Sequence, residues 1–473
     1  MSDRPGPAAR RIPSLAAELS WVAVLSWAVQ GVRLATLLVL ARLLTPADFG
    51  QFALAAGVLT LLQTFAGQGL SAALVLIPKL EPGHVPSAIA RAVLTGMAAI
   101  PFVIVVGLLM PAWADWRVIA ALSPGLVAAS LSAIALAVLR RERDFRRIAM
   151  IGVGCEIAGS LAGVIAALNH MGVWSLVVRQ LGTVALTALV SVVLIRGALN
   201  ALPSVRQARE LSRLGRPVLA GHILVAARER LDEILVGWLF GPAALGLYSL
   251  ARRYVEAVSG LIPAVIANRA WPVLASVRDN PAEFRRELGQ SLRLTALFGW
   301  PAFLLIALLA PDWVPLLLGE QWTAMAPFVR ILALIAAIRS IIGLNITALV
   351  AGSEHRLRLL LEAGLTIITL AALALAASWG AVVAAGVMAA AVVLAAPFEL
   401  WVIGRVLPLS AKSQIGLFRD GAVLTLLAAL WTVALMTILP KGLGPVAACA
   451  LAIGGVGCVQ LVLARRYVAS LPR

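Results

Sequence analysis

The stretch LFGPAALGLYSLARR, residues 239–253, repeats an earlier stretch of the same chain, LLTPADFGQFALA, residues 43–55. At an offset of 196, six of thirteen positions are identical: Leu43/Leu239, Pro46/Pro242, Ala47/Ala243, Gly50/Gly246, Leu54/Leu250 and Ala55/Ala251. Each copy lies at the same place in a series of apolar segments, which indicates an internal duplication. Repeats of this kind are typical of membrane transporters.

The composition excludes a soluble globular protein. The chain has 473 residues, 61% of them hydrophobic and 13% charged, with a mean hydropathy of +0.97. The net charge of +17 does not predict a nucleic-acid partner, because Lys and Arg collect in the cytoplasmic loops of membrane proteins. The three cysteines lie in apolar runs without paired spacing, so we expect no disulfide, metal site or cofactor.

Hydropathy predicts an all-α integral membrane protein with fourteen transmembrane helices, each long enough to cross about 30 Å of hydrocarbon. They cover residues 20–42, 48–77, 86–110, 117–139, 148–168, 173–195, 216–239, 244–268, 292–310, 325–350, 357–378, 380–404, 420–439 and 443–463. Two cytoplasmic connections are predicted to lie on the membrane surface as short helices. One covers 203–213, and the other begins at Asn280, with Pro281 at its first position and Glu283 at its third.

The distribution of basic residues predicts the orientation. With the N-terminus inside, cytoplasmic segments hold 28 Lys and Arg residues, external loops hold 3 and the spans hold 8. Both termini are therefore expected in the cytoplasm.

Eight arginines fall inside the predicted spans: Arg33, Arg179, Arg228, Arg230, Arg252, Arg253, Arg330 and Arg339. An arginine at the bilayer centre costs at least about 2.5 kcal/mol, so each should face protein or a wet cavity. Helical spacing places several on one polar face of their helix, which predicts helices around a central aqueous cavity.

Local carboxylates separate these arginines into groups. Spacing of four residues pairs Arg228 with Asp232 and Arg252 with Glu256, which allows a structural role for both pairs, although Arg252 stays a candidate for substrate contact. Arg179 and Arg330 are placed to reach the membrane surface. Arg33, Arg253 and Arg339 have no local partner in this scheme, which favours substrate contact. The set of structural or coupling candidates is completed by Arg230, Glu156, Glu229 and Glu256. Glu156 is a lone acid, and it is either a proton or cation site or a partner for a distant arginine.

The residues resemble those of the oligosaccharide-lipid (polysaccharide) flippases. The stretch Arg42–Gly50 between the first two predicted helices is similar to that family's signature, and Gly237–Ala251 is similar to its second-half motif. Further similarity lies in Gly319-x-x-Trp322 and in Ala348-Leu349-x-Ala351-Gly352. The family is part of the multidrug/oligosaccharidyl-lipid/polysaccharide (MOP) exporter superfamily.

The resemblance implies two six-helix lobes, related by a pseudo-twofold axis, and two added helices. The corresponding segments are a tail (1–19), lobes at 20–195 and 216–404, an amphipathic linker at 196–215, and the added helices with a tail at 405–473. It also implies a cationic cavity for the pyrophosphate of a polyprenyl-linked sugar, with Arg33, Arg252 and Arg253 at positions where the family carries cations, and Arg339 as a further candidate. Glu233 and Trp238 depart from the family's basic residues and carry no such role.

We therefore expect a monomeric flippase in the bacterial inner membrane that moves a lipid-linked oligosaccharide for lipopolysaccharide or exopolysaccharide synthesis by alternating access. Membrane lipids and other polysaccharide assembly proteins are its expected partners, and nucleic acid is not. A peptidoglycan-precursor flippase is the nearest alternative. A multidrug or cation antiporter would need a cavity dominated by acids. A membrane glycan polymerase is disfavoured by short external loops, and a nucleotide hydrolase by the absence of a P-loop.

Overall fold

The computed structural model describes residues 15–64, 67, 69–438, 451, 454–457 and 460, and within this range the regular elements are helices. The side chains of residues 15–27 and of positions 217, 218, 220–222, 224, 225, 228 and 229 lie outside the description. The chain forms two compact units. The N-terminal unit contains the chain up to Leu40, Leu59–Met110 and Trp116–Ile223. The C-terminal unit contains Ala41–Val58, Pro111–Asp115 and the chain from Leu224 onwards.

Seventeen α-helices occur in the described part of the chain. The first nine are α1 Leu15–Leu43, α2 Pro46–Gln63, α3 Gly69–Leu76, α4 His84–Leu108, α5 Trp116–Leu122, α6 Pro124–Arg141, α7 Phe145–Leu168, α8 Val173–Leu194 and α9 Val205–Leu261. The others are α10 Pro263–Ser276, α11 Pro281–Leu308, α12 Ala310–Leu318, α13 Ala326–Ala351, α14 His355–Leu375, α15 Ala381–Val406, α16 Ala411–Leu417 and α17 Arg419–Ile438.

Ten helical segments among the described residues are long and apolar enough to cross a bilayer. The all-α membrane class predicted from hydropathy is therefore confirmed. The count of fourteen is not, and the predicted helix at 443–463 falls almost entirely outside the described residues.

The core of the N-terminal unit is formed by α3, α4, α6 and the start of α7, with Leu74, Ala88 and Ile134 all buried. Helices α7 and α8 pack closely because glycines on α7 face α8. A Cβ on Gly159 would overlap the Thr183 hydroxyl, and one on Gly163 would lie 2.5 Å from the Cβ of Arg179. Small residues at a helix contact let the two backbones approach closely.

The core of the C-terminal unit lies among α10, α11, α13 and α15. Leu288 and Leu292 on α11 are fully buried beside Ala348 and Leu349 of α13. One buried polar contact crosses this core: the Asn345 amide donates to Gln414 Oε1 at 3.0 Å. This contact satisfies the buried amide nitrogen of Asn345, whereas its Oδ1 has no hydrogen-bond partner among the described residues.

A glycine divides α9 where the sequence predicts a break between two spans. Gly241 has φ 84° and ψ −177°, a conformation that is open to glycine and unfavourable for other residues. The preceding residues, predicted as a separate surface helix at 203–213, instead form the beginning of α9.

The N-cap predicted at Asn280 is confirmed, but the helix is not a separate surface element. Asn280 Oδ1 accepts hydrogen bonds from the backbone N–H groups of Ala282 (3.2 Å) and Glu283 (3.3 Å). The helix then continues to Leu308 as α11, because no proline interrupts it before Pro301.

The duplicated stretches lie against each other within the C-terminal unit. A Cβ on Gly50 would overlap the carbonyl oxygen of Pro242, and a Cβ on Gly246 would overlap that of Pro46. Trp322, from the Gly319-x-x-Trp322 motif, is fully buried beside them. Its indole N–H donates to the Ala41 carbonyl oxygen at 2.8 Å. Three of the four motifs that carry the family resemblance therefore meet in one place.

Candidate functional site

A cavity of 480 Å³ opens in the C-terminal unit between α9, α10, α13, α14 and α15. Five charged side chains line it: Asp232, Arg252, Glu256, Arg339 and Glu362. Four of them are residues that the sequence selects as substrate-binding or coupling candidates. Their convergence on one cavity of binding-site size is a property of the tertiary fold.

Arg252 is held by carboxylates of different exposure. Its Nη1 donates to both oxygens of Asp232 at 2.6 Å, and its Nε donates to Glu256 Oε1 at 2.8 Å. A third acid, Glu233, lies 3.8 Å from the same Nε. The Asp232 side chain is 17% exposed, whereas that of Glu256 is 58% exposed. The Arg252–Glu256 pair expected from four-residue spacing is present, and Glu256 is its solvent-accessible member.

Tyr248 also holds Asp232 in place. Its hydroxyl donates to Asp232 Oδ2 at 2.8 Å, and the ring is fully buried against Phe328, with ring centroids 6.0 Å apart. Asp232 is thereby fixed between a phenol and a guanidinium. The sequence offers Tyr248 only as a member of the second-half motif, so its contact with Asp232 was not foreseen.

Arg339 lines the same cavity and also has a carboxylate partner. Its Nη1 lies 3.5 Å from both oxygens of Glu399, whose side chain is 4% exposed. Arg339 was expected to have no local carboxylate partner, and its partner indeed comes from another helix, α15. Glu399 was overlooked, although an acid in the middle of an apolar span is itself a signal.

The cavity carries charges of both signs, whereas the sequence predicts a cationic one. Two guanidinium groups face three carboxylates, because Glu362 on α14 joins Asp232 and Glu256. Glu362 pairs with Arg358, one turn earlier, at 3.4 Å, and its buried Oε2 has no hydrogen-bond partner among the described residues. The spacing of Arg358 and Glu362 could have revealed this acid.

A separate ionic cluster lies inside the N-terminal unit. Glu156 on α7 accepts from Arg33 at 3.0 Å and from Arg179 at 2.5 Å. Glu156 is thus a buried partner for distant arginines, one of the two roles foreseen for it. Arg33, expected to have no local partner, is paired with this distant acid, and the expectation that Arg179 reaches the membrane surface is wrong. Glycines on α7 bring α8 close enough for Arg179, which is 7% exposed, to meet Glu156.

This cluster retains a positive charge, since one carboxylate serves two guanidinium groups. Arg33 is its exposed end, with 48% of the side chain accessible. A second polar group on Arg179, its Nε, is buried without a hydrogen-bond partner in the described part of the chain. The surplus positive charge is therefore accessible at the Arg33 side chain.

The remaining candidates lie close to Arg252 in sequence. Arg230 pairs with Glu233 at 3.1 Å. The guanidinium carbon of Arg253 lies 6.0 Å from the ring centre of Phe52. The side chains of Arg228 and Glu229 lie outside the described residues, so the predicted Arg228–Asp232 pair stays a prediction.

The whole fold is similar to solved membrane transporters. The lipid II flippase MurJ in an inward closed conformation superimposes with a TM-score of 0.76 at 12% identity, over 95% of this chain and 99% of that one. An inward-facing multidrug resistance MATE family transporter of the MOP superfamily gives 0.59 at 14% identity, over 83% and 98%. The chain is therefore a multi-pass membrane protein with the MOP transporter fold.

Sequence comparison then defines the family. Residues 39–327 match the polysaccharide biosynthesis protein family Polysacc_synt_3, a span that contains both copies of the duplicated motif. The chain belongs to this polysaccharide biosynthesis family, which is a family of transporters and not of enzymes. The resemblance drawn from the motifs is confirmed.

Two curated relatives are similar over most of this chain. The succinoglycan biosynthesis transport protein ExoT of Rhizobium meliloti (strain 1021) is 25% identical over 325 residues, 67% of this chain and 65% of that protein. The lipopolysaccharide biosynthesis protein WzxC of Escherichia coli (strain K12) is 22% identical over 336 residues, 68% and 66%. The similarity thus spans just under two thirds of each relative's length.

Proposed function

We propose that this protein is a flippase that moves a polyprenyl-pyrophosphate-linked oligosaccharide from the cytoplasmic to the outer leaflet of a bacterial inner membrane. Membership in the polysaccharide biosynthesis family over residues 39–327 is the observation that carries the proposal. The similarity to a succinoglycan transport protein and to a lipopolysaccharide biosynthesis protein supports it. We further propose the predicted fourteen-span, two-lobe organisation, with both termini in the cytoplasm.

The physical task is to carry a polar, multiply charged head group across hydrocarbon. Desolvating phosphate without replacement contacts is prohibitive, and guanidinium groups supply such contacts through paired hydrogen bonds. Arg252 and Arg339 line a cavity that could receive the head group, and Arg33 is an exposed cation in the other unit. We assign substrate contact to these arginines and to Arg253.

The carboxylates around Arg252 suggest how binding would proceed. A carboxylate presents oxygens to a guanidinium much as a phosphate does, so Glu256 and Asp232 hold the position that phosphate oxygens would take. Glu256 is exposed and exchangeable, whereas Asp232 is fixed by Tyr248. A phosphate oxygen would displace Glu256 from the Nε of Arg252, and Glu256 would return when the substrate leaves.

Net transfer would follow from alternating access. The polyprenyl chain would stay in the bilayer while the head group occupies the protein, and the two lobes would expose it to one side at a time.

The test is a proteoliposome assay with fluorescently labelled undecaprenyl-pyrophosphate oligosaccharide. We expect the wild type to move label between leaflets and the double variant Arg252→Ala/Arg253→Ala to be at least tenfold slower. Arg330→Ala is the matched control, because Arg330 is an exposed arginine of α13 that lines no described cavity. Normal flipping by the double variant would refute the site, and no flipping by correctly folded wild type would refute the function.

A second substrate in the same assay distinguishes the nearest alternative. Lipid II, a peptidoglycan precursor, is offered at equal concentration. Faster transfer of lipid II than of any polysaccharide precursor would favour the peptidoglycan function.

A further inference from the structure

A second, smaller cavity adjoins the charged cavity in the C-terminal unit. Its volume is 270 Å³, and Ile346 of α13 lines both cavities. The polar and aromatic side chains around it come from three helices: Asn268 and Trp271 of α10, Thr347 of α13 and Arg358 of α14. The two cavities are therefore neighbours on successive turns of the same helix.

Hydrogen-bonding groups in this cavity are largely unused. Within the described part of the chain, neither the Asn268 amide nor the Trp271 indole N–H has a hydrogen-bond partner. The Thr347 hydroxyl donates to the Gly343 carbonyl oxygen at 2.9 Å and keeps its lone pairs as acceptors. Arg358 uses its Nε for Glu362, which leaves the two terminal amino groups. The cavity thus presents both hydrogen-bond donors and hydrogen-bond acceptors to a ligand.

An exposed indole stands among these groups. The side chain of Trp271 is 54% exposed, although it lines the cavity. A flat aromatic surface surrounded by amide, hydroxyl and guanidinium groups suits a ligand with one apolar face and a rim of hydroxyls. A sugar ring has this form: its axial C–H groups pack on the indole while its hydroxyls pair with the rim.

The size and charge of the cavity suit a single uncharged ring. At 270 Å³ it lies below the range of about 300–1,000 Å³ for drug-sized ligands, which suits a single ring. Its one cation is paired with Glu362, so a second phosphate would find little uncompensated charge.

We propose that this cavity is a glycan subsite that binds one sugar ring of the lipid-linked oligosaccharide. The proposal rests on the proposed function. Trp271 stacks under the ring, and Asn268, Thr347 and Arg358 pair with its hydroxyls. From Arg339 to Thr347, α13 rises by about 12 Å at 1.5 Å per residue, so one molecule can place its pyrophosphate in the charged cavity and a sugar here. The subsite makes the protein select for glycosylated lipid over bare carrier.

The test measures binding of three probes to the purified full-length protein in nanodiscs. The probes are undecaprenyl pyrophosphate without sugar, with one hexose, and with one N-acetylhexosamine. We expect at least one glycosylated probe to bind tenfold or more tightly than the bare lipid. Trp271→Ala should remove most of this preference and leave binding of the bare lipid within twofold.

Two matched controls separate stacking from general effects. Trp401→Ala removes a tryptophan of the same unit, 48% exposed, that lines neither cavity. Arg358→Ala should reduce the preference at least threefold. Its control is Arg356→Ala, which removes an exposed arginine two residues away on α14. Both controls should retain the wild-type preference.

Each outcome bears on one proposal. If the wild type binds bare and glycosylated probes equally, or if Trp271→Ala weakens all three probes alike, the subsite is refuted while the flippase function stands. If none of the three probes binds, the proposed function itself is refuted. Loss of the preference in Trp401→Ala to the same degree would also overturn the subsite.

Discussion

Gly50 and Gly246 occupy equivalent positions in the two copies of the duplicated motif, and each faces the proline carbonyl of the other copy. A Cβ on Gly50 would overlap the Pro242 oxygen, and a Cβ on Gly246 would overlap the Pro46 oxygen. The contact is therefore reciprocal, as expected where duplicated elements meet about a local twofold axis. Backbone meets backbone here, which explains why the motif keeps glycine and proline at the same spacing in both copies.

Substituting either glycine should destabilise the protein. Gly50→Ala and Gly246→Ala each force the two backbones apart, an overpacking cost of about 1–3 kcal/mol. The measurement is thermal unfolding in detergent, where both variants should melt several degrees below wild type. Gly364→Ala is the control, because a Cβ there meets nothing within 4 Å and alanine favours a helix. Equal melting temperatures for all three variants would contradict the close contact.

The Glu156 cluster should separate stability from transport. Glu156→Gln leaves the buried Arg179 guanidinium without its carboxylate, which costs about 3–5 kcal/mol for a buried pair. Arg33→Gln removes the exposed member, so it should unfold near the wild-type temperature but lower transport at least tenfold. Thermal unfolding and the proteoliposome assay, run on the same preparations, check the two expectations. A stable Glu156→Gln protein would contradict the structural role.

Glu256 should compete with the substrate for Arg252. Glu256→Gln removes the exchangeable carboxylate 2.8 Å from the Arg252 Nε, so pyrophosphate should bind more tightly, by about threefold to tenfold. Release should slow in parallel, because the group that returns to Arg252 is missing. Inorganic pyrophosphate and the bare lipid are suitable probes in a binding assay. Weaker binding by Glu256→Gln would show that Glu256 contacts the ligand in another way.

Tyr248→Phe is the complementary test of the fixed carboxylate. It removes the hydroxyl that donates to Asp232 at 2.8 Å and leaves the buried ring in place. Loss of a hydrogen bond to a charged group costs about 1.5–3 kcal/mol. We expect a lower melting temperature together with weaker binding, since Asp232 no longer orients Arg252. Tyr254→Phe is the control, because its hydroxyl has no hydrogen-bond partner among the described residues.

Cysteine labelling should establish the orientation. After the native cysteines are replaced by alanine, Glu320→Cys and Glu142→Cys place exposed thiols in a predicted external and a predicted cytoplasmic loop. A membrane-impermeant maleimide added to intact cells should label position 320 and spare position 142, and permeabilised cells should label both. The reverse pattern would overturn the cytoplasmic termini.

The amino-acid sequence alone determined the class, the family and most of the helices. Apolar runs of bilayer length do not depend on packing, so hydropathy identifies them directly. Each copy of the duplicated motif is a short continuous stretch, and its glycines and prolines indicate the backbone conformations at their positions. The same reasoning placed a break between residues 239 and 244, where Gly241 lies, and the cap at Asn280, because both are decided within a few residues.

Tertiary structure alone decided how charges that lie far apart in the sequence are paired. Arg33 and Glu156 are 123 residues apart, and Arg339 and Glu399 are 60 apart, so no helical spacing connects them. In low-dielectric surroundings, a buried arginine is stabilised by any carboxylate that packing brings close to it, whatever their separation along the chain. An in-span arginine without a local partner is therefore a cation whose partner the fold supplies. Trp271 and Arg358 also meet only in the folded protein, because α10 and α14 both pack against α13 and contribute to one cavity.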